Sequence, residues 1–296
     1  MSITGWQLSI LEWKRARSIL LNKDASNWKS TGKFGGRASA FSRYLFVYTF
    51  RLCYIICSFD RAAEDKVVEI RNELRKFAIG THADFSAKLV PTVERERILG
   101  VKIPVLKTLA KEAVKSGEYS EFLNAEHYYL EEFILHGLIL GTAKFGYDEL
   151  IGRIEAFLPE IDNWQVCDAT VGALKAVKKF KEPFYDKCKE WLKSDKEYTV
   201  RFAVVMLLSY YLGEGFNTEI PEALAAMESD KFYVNMAVAW YFSFALIKRY
   251  DETIGIFESG AIKNVWVHNK SVQKSLESYR ISSDKKNYIK SLKRKV

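Results

Sequence analysis

The sequence is poor in the residues that build turn-rich, fibrous or disulfide-bonded proteins, since its 296 residues include only 5 Pro, 16 Gly and 4 Cys. Such a low Pro and Gly content argues against a collagen-like chain and against a turn-rich all-β protein. Four cysteines in a chain of this length do not make a disulfide scaffold, so we expect reduced thiols and a cytoplasmic location. The cysteines are Cys53, Cys57, Cys167 and Cys188.

The sequence also lacks the ligand spacing of a structural zinc site. No two of its cysteines form a CxxC pair, and its four histidines are scattered along the chain. Structural zinc sites collect four such ligands, usually from closely spaced pairs. We therefore expect no structural metal site. The histidines are His82, His127, His136 and His268.

A hydrophobic run long enough to cross a bilayer is missing as well. The aromatic, apolar stretch from Tyr44 to Phe59 contains 16 residues, and Arg51 lies in its middle. A transmembrane helix needs about 20 apolar residues, so we expect no membrane span. Hydrophobic residues nevertheless make up 48% of the chain, and charged residues 28%. This balance excludes a mostly disordered chain and allows a sizeable core.

The positive charge of the chain is concentrated at its two ends. The net charge is +8 at pH 7. Residues 1–61 contain ten basic and three acidic side chains, and residues 281–296 contain six basic and one acidic. The body of the chain between them is net acidic. A nucleic-acid-binding function therefore cannot rest on bulk charge and requires a local basic patch.

Residues 1–66 differ in composition from the rest of the chain and form a predicted basic, aromatic extension. They contain Gly35-Gly36, three tryptophans and the aromatic run described above. One interpretation is an arm that touches a membrane or nucleic acid. The other, which we favour, is a poorly ordered extension, translated from a start codon set too far upstream. On that hypothesis, Val67 or Val68 marks a non-ATG start.

From about residue 66 onward, apolar residues recur at helical spacing. Residues 66–78 predict one helix, and Pro104 opens another. Shorter amphipathic segments at 147–157, 182–192, 219–227 and 251–257 then alternate with long apolar helices. The alternation predicts an all-α fold in residues 67–296, an α-solenoid of HEAT-like helix pairs with a concave binding groove. The long helices are expected to begin near Tyr128, Asn163, Glu197, Lys231 and Val267.

Several of the long helices carry a polar residue at the same phase of the repeat. These residues are Asp168, Arg201, Asn235 and Asn269, at intervals of 33, 34 and 34 positions. Equal phase places them on a common face of a solenoid, which we expect to be the concave one. One interpretation is a binding groove lined by a carboxylate, a guanidinium and two amides. The alternative is a hydrogen-bond ladder that fixes the stacking of the repeats.

Two tryptophans and a group of lysines belong to the same helices. Trp164 precedes Asp168 by four positions, so both project from one side of a helix, and Trp240 follows Asn235 by five. Large aromatic residues on long helices are usually core residues. The lysines, which we place at the end of the helix that begins with Trp164 and on the last long helix, either contact phosphates or stabilise helix ends. These lysines and a neighbouring amide are Lys175, Lys178, Lys179, Lys270, Gln273 and Lys274.

Five motifs follow one another in residues 67–296: GVKIPVL at 100–106, IDNWQVCD at 161–168, VRFAVVM at 200–206, YVNMAVAW at 233–240 and NKSVQK at 269–274. At these motifs the chain resembles bacterial DNA alkylation repair glycosylases built of HEAT-like repeats, the AlkD type. The likeness is collinear, and several motifs in order are more specific than any one of them. Residues 1–66 have no recognised counterpart in that family.

The resemblance implies roles for the residues that match. It implies that Asp168 is the catalytic aspartate and that Trp164 and Trp240 are the two tryptophans of the groove. It also implies that Arg201 binds a DNA phosphate near the lesion. Together with the polar residues of the predicted groove, the residues expected to bind DNA are Arg201, Asn235, Lys175, Lys178, Lys179, Asn269, Lys270, Gln273 and Lys274.

The implied reaction is hydrolysis of the N-glycosidic bond of N3- or N7-alkylated purines in double-stranded DNA, without base flipping and without a metal or organic cofactor. A cationic base leaves as a neutral molecule, so no general acid is needed. Positive charge then develops on the deoxyribose, where an ionised Asp168 would stabilise it. We expect cations such as Arg201 to keep the pKa of Asp168 low. We also expect a shallow groove without a deep pocket.

The competing interpretation is a non-catalytic module. Helical-repeat chains commonly bind proteins or peptides in their groove, and the fold alone does not imply chemistry. A family member that binds DNA without excising bases is a further version of this alternative. Retention of Asp168, Trp164 and Trp240 favours the enzyme. We expect the protein to be a monomer.

Overall fold

The computed structural model describes residues 65–213 and 216–295 of the chain. These residues belong to the compact unit Cys57–Val296. The predicted extension 1–66 therefore lies outside the described residues, apart from its last two positions. Among the described helices, none is both long enough and apolar enough to traverse a bilayer.

Every regular element in the described part of the chain is a helix, which confirms the predicted fold class. Short 3-10 helices occur at Arg95–Arg97, Leu158–Glu160 and Lys175–Lys178. The α-helices are residues 65–76 (α1), Gly80–Leu89 (α2), Ile103–Ser116 (α3), Ser120–Asn124 (α4), Leu130–Thr142 (α5), Tyr147–Phe157 (α6), Trp164–Ala173 (α7), Lys181–Trp191 (α8), Glu197–Tyr210 (α9), Glu219–Ala225 (α10), Phe232–Lys248 (α11), Tyr250–Glu258 (α12), Val265–Glu277 (α13) and Ser283–Ser291 (α14).

Helices α5, α7, α9, α11 and α13, here called the inner series, pack side by side in chain order, and one further α-helix follows each of them along the chain. The predicted starts of the long helices agree with the structure to within two residues. This regular stacking of long and short helices is the α-solenoid that the sequence predicts.

Burial differs sharply between the long helices. Every residue of the stretches 130–140 in α5 and 198–208 in α9 is buried, so these two helices have no face open to solvent there. Helix α7 instead buries one side only, through Val166, Cys167, Thr170 and Val171. Its other side is left partly open to solvent. The open side of α7 is therefore where a ligand can reach the inner series.

A glycine allows α5 and α7 to pack closely at this point. A Cβ atom added at Gly137 would lie only 1.8 Å from Oγ1 of Thr170, well inside the distance at which non-bonded atoms repel each other. Thr170 itself is held to α7, since its hydroxyl donates a hydrogen bond to the carbonyl of Val166 at 2.8 Å. This close contact holds α5 and α7 against each other.

One predicted boundary is wrong. The sequence suggested that the lysines at 175–179 form the C-terminal end of the helix that starts at Trp164, but α7 ends at Ala173. Residues Lys175–Lys178 form a separate 3-10 helix. The chain turns there because the side chains of Leu174 and Val177 are both fully buried, and their three-residue spacing matches the three residues per turn of a 3-10 helix.

Candidate functional site

The candidate site is built on the open side of α7. The helix begins at Trp164, and the side chain of Asn163 caps it by accepting a hydrogen bond from the amide of Val166 at 3.1 Å. The four-residue spacing of Trp164, Asp168 and Gly172 places them on one side of the helix. The structure thus confirms that Trp164 and Asp168 share a face.

Asp168 is paired with Arg201 across the contact between α7 and α9. The guanidinium donates to both carboxylate oxygens, with Nε at 3.1 Å from Oδ1 and Nη2 at 2.7 Å from Oδ2. Its third donor, Nη1, lies 2.9 Å from the carbonyl oxygen of Tyr233 at the start of α11. The side chains are 7% exposed for Arg201 and 18% for Asp168. This contact joins three successive long helices, as the hydrogen-bond ladder interpretation requires.

The ionisation of Asp168 differs from the expectation. Burial raises the pKa of its carboxyl group above the ordinary value, and this outweighs the opposing charge and hydrogen bonds of Arg201 and the hydrogen bond of Cys167. The expectation that nearby cations hold the pKa low is therefore wrong in its net direction. Arg201 still favours the ionised form, because its bidentate contact uses both carboxylate oxygens as acceptors.

A cleft of about 400 Å³ opens beside Asp168. Helix α2 forms one wall, and the first turns of α3 and α5 and the open side of α7 form the rest. The indole N–H of Trp164 donates to the carbonyl of Leu89 at 2.9 Å, which joins α7 to the end of α2. The expectation of a shallow groove without a deep pocket stays a prediction, because this cleft is open to solvent along part of its surface.

Trp240 lies in another part of the inner series. It is half-buried on α11, where its ring meets the edge of Phe244 with the centroids 5.8 Å apart. It does not line the cleft beside Asp168, and α9 packs between its helix and α7. The structure therefore brings Trp164 and Asp168 into one cleft and leaves Trp240 outside it.

The predicted polar groove residues on the later helices are engaged with the protein itself. The Asn235 amide donates to the carbonyl of Ser229 at 2.9 Å. The Asn269 side chain exchanges two hydrogen bonds of 2.9 Å with the backbone of Arg294. These contacts fix the loop before α11 and the C-terminal segment, so the ladder between repeats does not continue through the two asparagines.

The predicted phosphate contacts form two groups that differ in their partners. On α13, the ammonium of Lys270 donates to the amide oxygen of Gln273 at 3.2 Å, and Lys274 forms an ion pair of 3.0 Å with Glu277. Lys175 and Lys178, by contrast, are exposed and have no acidic partner within the described residues. The ammonium of Lys179 lies 5.1 Å from the centre of the Phe180 ring. The lysines at 175–179 therefore keep their charge available to a phosphate.

Glu131 also belongs to this region, although the sequence pattern did not indicate it. Its buried carboxylate accepts backbone N–H bonds from Leu99 at 3.0 Å, Gly100 at 2.6 Å and Val101 at 3.2 Å. Burial raises the pKa of Glu131, and the backbone hydrogen bonds oppose this shift. The available signal was the pair of adjacent carboxylates, Glu131 and Glu132, in the first turn of the mostly apolar helix α5. Glu131 positions the loop that supports helix α2.

Comparison with protein-family models matches residues 70–252 to the family described as DNA alkylation repair enzyme. The match covers more than half of the chain and includes Trp164, Asp168, Arg201 and Trp240. Comparison with curated proteins and with solved structures finds no significant match. The resemblance noted in the motifs is confirmed by the family match. The chain belongs to the DNA alkylation repair enzyme family.

Proposed function

We propose that this protein is a DNA glycosylase that hydrolyses the N-glycosidic bond of cationic N3- or N7-alkylated purines in double-stranded DNA. Membership of the family assigns the chain to the repair of alkylated DNA. The observation that carries the finer proposal is the carboxylate of Asp168, which is partly exposed in a cleft, shares a helix face with Trp164 and is oriented by Arg201.

The reaction needs little besides this carboxylate. The bond between C1′ and the base nitrogen breaks, and its electron pair neutralises the cationic base, which leaves without a proton donor. Water adds its oxygen to C1′ and releases one proton to solvent. The sugar carries positive charge between these events, and a fixed carboxylate stabilises such a charge better than mobile water does. Asp168 supplies that carboxylate, and its two contacts with Arg201 hold it in place.

The two tryptophans and the basic residues have supporting roles. An indole face attracts a cation, so Trp164 beside Asp168 stabilises the alkylated nucleotide, and Trp240 acts from α11. The ammonium groups of Lys175 and Lys178, which have no acidic partner in the part of the chain that the structure describes, contact phosphates. We keep the expectation that the base is not flipped out before cleavage, which rests on the resemblance. The cytoplasmic location and the monomeric state stay predictions.

The test is the substitution Asp168→Asn, assayed for release of 7-methylguanine from methylated duplex DNA. Loss of the negative charge removes the stabilisation of the sugar cation, so we expect excision to fall at least about 100-fold, the effect of removing one electrostatic contact to a transition state. Binding to the same duplex is expected to be largely retained.

A matched control is Asp162→Asn, an aspartate on the loop before α7 that is half-exposed and does not line the cleft. It is expected to excise at the wild-type rate. Thermal unfolding of both variants shows whether the loss of activity reflects loss of fold. Wild-type excision by a folded Asp168→Asn protein would refute the mechanism.

A second candidate is a DNA-binding module that does not excise bases. The observation that favours it is the Asp168–Arg201 pair, which already uses both carboxylate oxygens within the protein. The two candidates differ in outcome: a mobility shift with methylated duplex together with no release of base by the wild-type protein would establish the binding module.

A further inference from the structure

The cleft beside Asp168 has a wall that is fixed at both ends. At its start, α2 packs against Gly100, where an added Cβ would lie 2.2 Å from the carbonyl oxygen of Ile79 and where φ is +85°; both facts require glycine. At its end, the carbonyl of Leu89 accepts the indole N–H of Trp164. These two contacts fix the position of α2 relative to α7. The cleft between the two helices is therefore preformed.

Aromatic rings stand on two sides of this cavity. Phe85 projects from α2 with 57% of its surface exposed, and the ring of His82 stacks on it with a centroid distance of 6.3 Å and an interplanar angle of 17°. Trp164 stands on the α7 side. An exposed phenylalanine at the mouth of a cavity offers a flat apolar face that planar heterocycles cover by stacking.

Two polar side chains that line the cleft have no partner in the described residues. The Gln165 amide and the Lys107 ammonium form no hydrogen bond or ion pair there. An amide offers both donors and an acceptor, the combination that the edge of a purine requires. The volume of about 400 Å³ falls within the range of small-molecule sites, roughly 300–1,000 Å³, and a double helix does not fit into it.

We propose that this cleft binds the free alkylated purine base after its excision, with the base stacked between Phe85 and Trp164 and its edge hydrogen-bonded to Gln165. The inference rests on the proposed function for the origin of its ligand. A base that leaves the sugar next to Asp168 is neutral and planar, and the cleft opens at that carboxylate. The cleft therefore lies next to the sugar from which the product is released, and the free base can enter it once it has left the duplex.

The experiment is a calorimetric titration of the full-length protein with 7-methylguanine in the absence of DNA. We expect one binding site per chain. Two substitutions act on the cleft and leave Asp168 itself in the chain: Phe85→Ala removes a stacking face, and Gly172→Phe fills the cavity from a position one turn after Asp168, where an added Cβ meets open space. Each is expected to raise the Kd for 7-methylguanine about tenfold or more, the loss associated with one base–aromatic contact.

Each variant has a matched control. Phe77→Ala removes a phenylalanine that is 41% exposed and does not line the cleft. Gly152→Phe places the same bulky ring on a helical glycine of α6 that also has open space at its Cβ. Both controls are expected to bind 7-methylguanine as the wild type does. No binding by the wild type, or binding that Phe85→Ala and Gly172→Phe leave unchanged, would overturn the assignment.

This titration separates the new inference from the function on which it rests, because it contains no DNA. If the protein excises bases but does not bind 7-methylguanine, the cleft assignment is refuted and the proposed function is not. If the protein binds 7-methylguanine in the cleft but releases no base from DNA, the proposed glycosylase function is refuted and the base-binding cleft is established.

Discussion

Two of the same-phase residues, Asp168 and Arg201, are bound to each other. Their contact satisfies the ladder interpretation, because it links α7, α9 and the start of α11. The contact is also consistent with a binding groove, because the side chain of Asp168 remains 18% exposed beside the cleft. The two interpretations are compatible at this pair, since one guanidinium can both fix the stacking of helices and orient a carboxylate for chemistry.

The pair predicts a large loss of stability for Arg201→Gln. This variant leaves the Asp168 carboxylate buried without its cation, and breaking a buried ion pair from one side costs roughly 3–5 kcal/mol. Because Arg201 lowers the pKa of Asp168, its removal also raises that pKa further. Urea unfolding at pH 7 measures the loss.

Arg153→Gln is the matched control, since its ion pair with Glu149 lies on the surface of α6 and is worth about 0–1 kcal/mol. The double variant Asp168→Asn/Arg201→Gln is expected to lose less stability than the sum of the two single variants. Equal effects of Arg201→Gln and Arg153→Gln would show that the buried pair does not hold the helices together.

At the scale of the element, the turn after α7 decides where positive charge is presented. Continuation of α7 would have spread the lysines around a helix end, where the helix dipole stabilises them. Burial of Leu174 and Val177 instead produces the 3-10 helix Lys175–Lys178. Two lysines of this short element are exposed and free of acidic partners within the described residues, which suits phosphate contacts.

The double substitution Lys175→Gln/Lys178→Gln is therefore expected to change the salt dependence of DNA binding. Each phosphate contact contributes about 0.9 to the slope of log Kobs against log salt concentration for B-DNA, so loss of two contacts should flatten the slope by about 2. Fluorescence anisotropy of a labelled duplex over a series of salt concentrations gives this slope.

A control with the same change in net charge is Lys187→Gln/Lys189→Gln on α8. These lysines already form ion pairs, with Glu155 and Glu190 for the first and with Asp186 for the second. Their removal is expected to leave the slope unchanged. Equal slopes for the two double variants would remove Lys175 and Lys178 from the phosphate-binding residues.

At the scale of the whole molecule, a largely buried histidine pair joins the loop before α5 to α5 itself. Nε2 of His127 lies 2.8 Å from Nδ1 of His136, and the His136 ring stacks on Phe157 with a centroid distance of 4.0 Å. Burial lowers the pKa of His127 to about 4 and that of His136 well below its ordinary value. Both rings are therefore neutral in the folded protein at neutral pH.

This pair predicts that the protein loses stability as the pH falls from about 6.5 towards 4. In that range the unfolded chain binds protons that the folded chain does not, so acid favours unfolding. His127 alone accounts for about 3 kcal/mol over the whole range. Glu131 and Asp168, whose pKa values are raised by burial, act in the opposite direction.

Urea unfolding at pH 7 and pH 5 measures this dependence. The variant His127→Gln/His136→Gln is expected to lose less stability between the two pH values than the wild type, whatever its stability at pH 7. His82→Gln, a change at the cleft outside the buried pair, is expected to keep the wild-type difference. An unaltered difference in the double variant would show that the pair is not the source of the acid sensitivity.

Much of the fold was predictable because its cause is local. The periodic apolar residues and early-turn Pro104 determine where helices lie, and their recurrence determines the stacking. Trp164 and Asp168 could be placed on one helix face from their spacing alone. The role of Glu131 could not be predicted in this way, because its partners at 99–101 precede it by 30 to 32 positions and no periodicity marks them.

By itself, the sequence determined an all-α solenoid and the membership of a DNA alkylation repair family, since both follow from helical periodicity and from motifs in order along the chain. Only the tertiary structure decided that Arg201 is bound to Asp168, 33 positions away, and that the indole of Trp164 reaches Leu89 across 75 positions. Burial and hydrogen bonding between distant segments set these contacts. The net direction of the Asp168 pKa and the cleft beside it follow from the same packing.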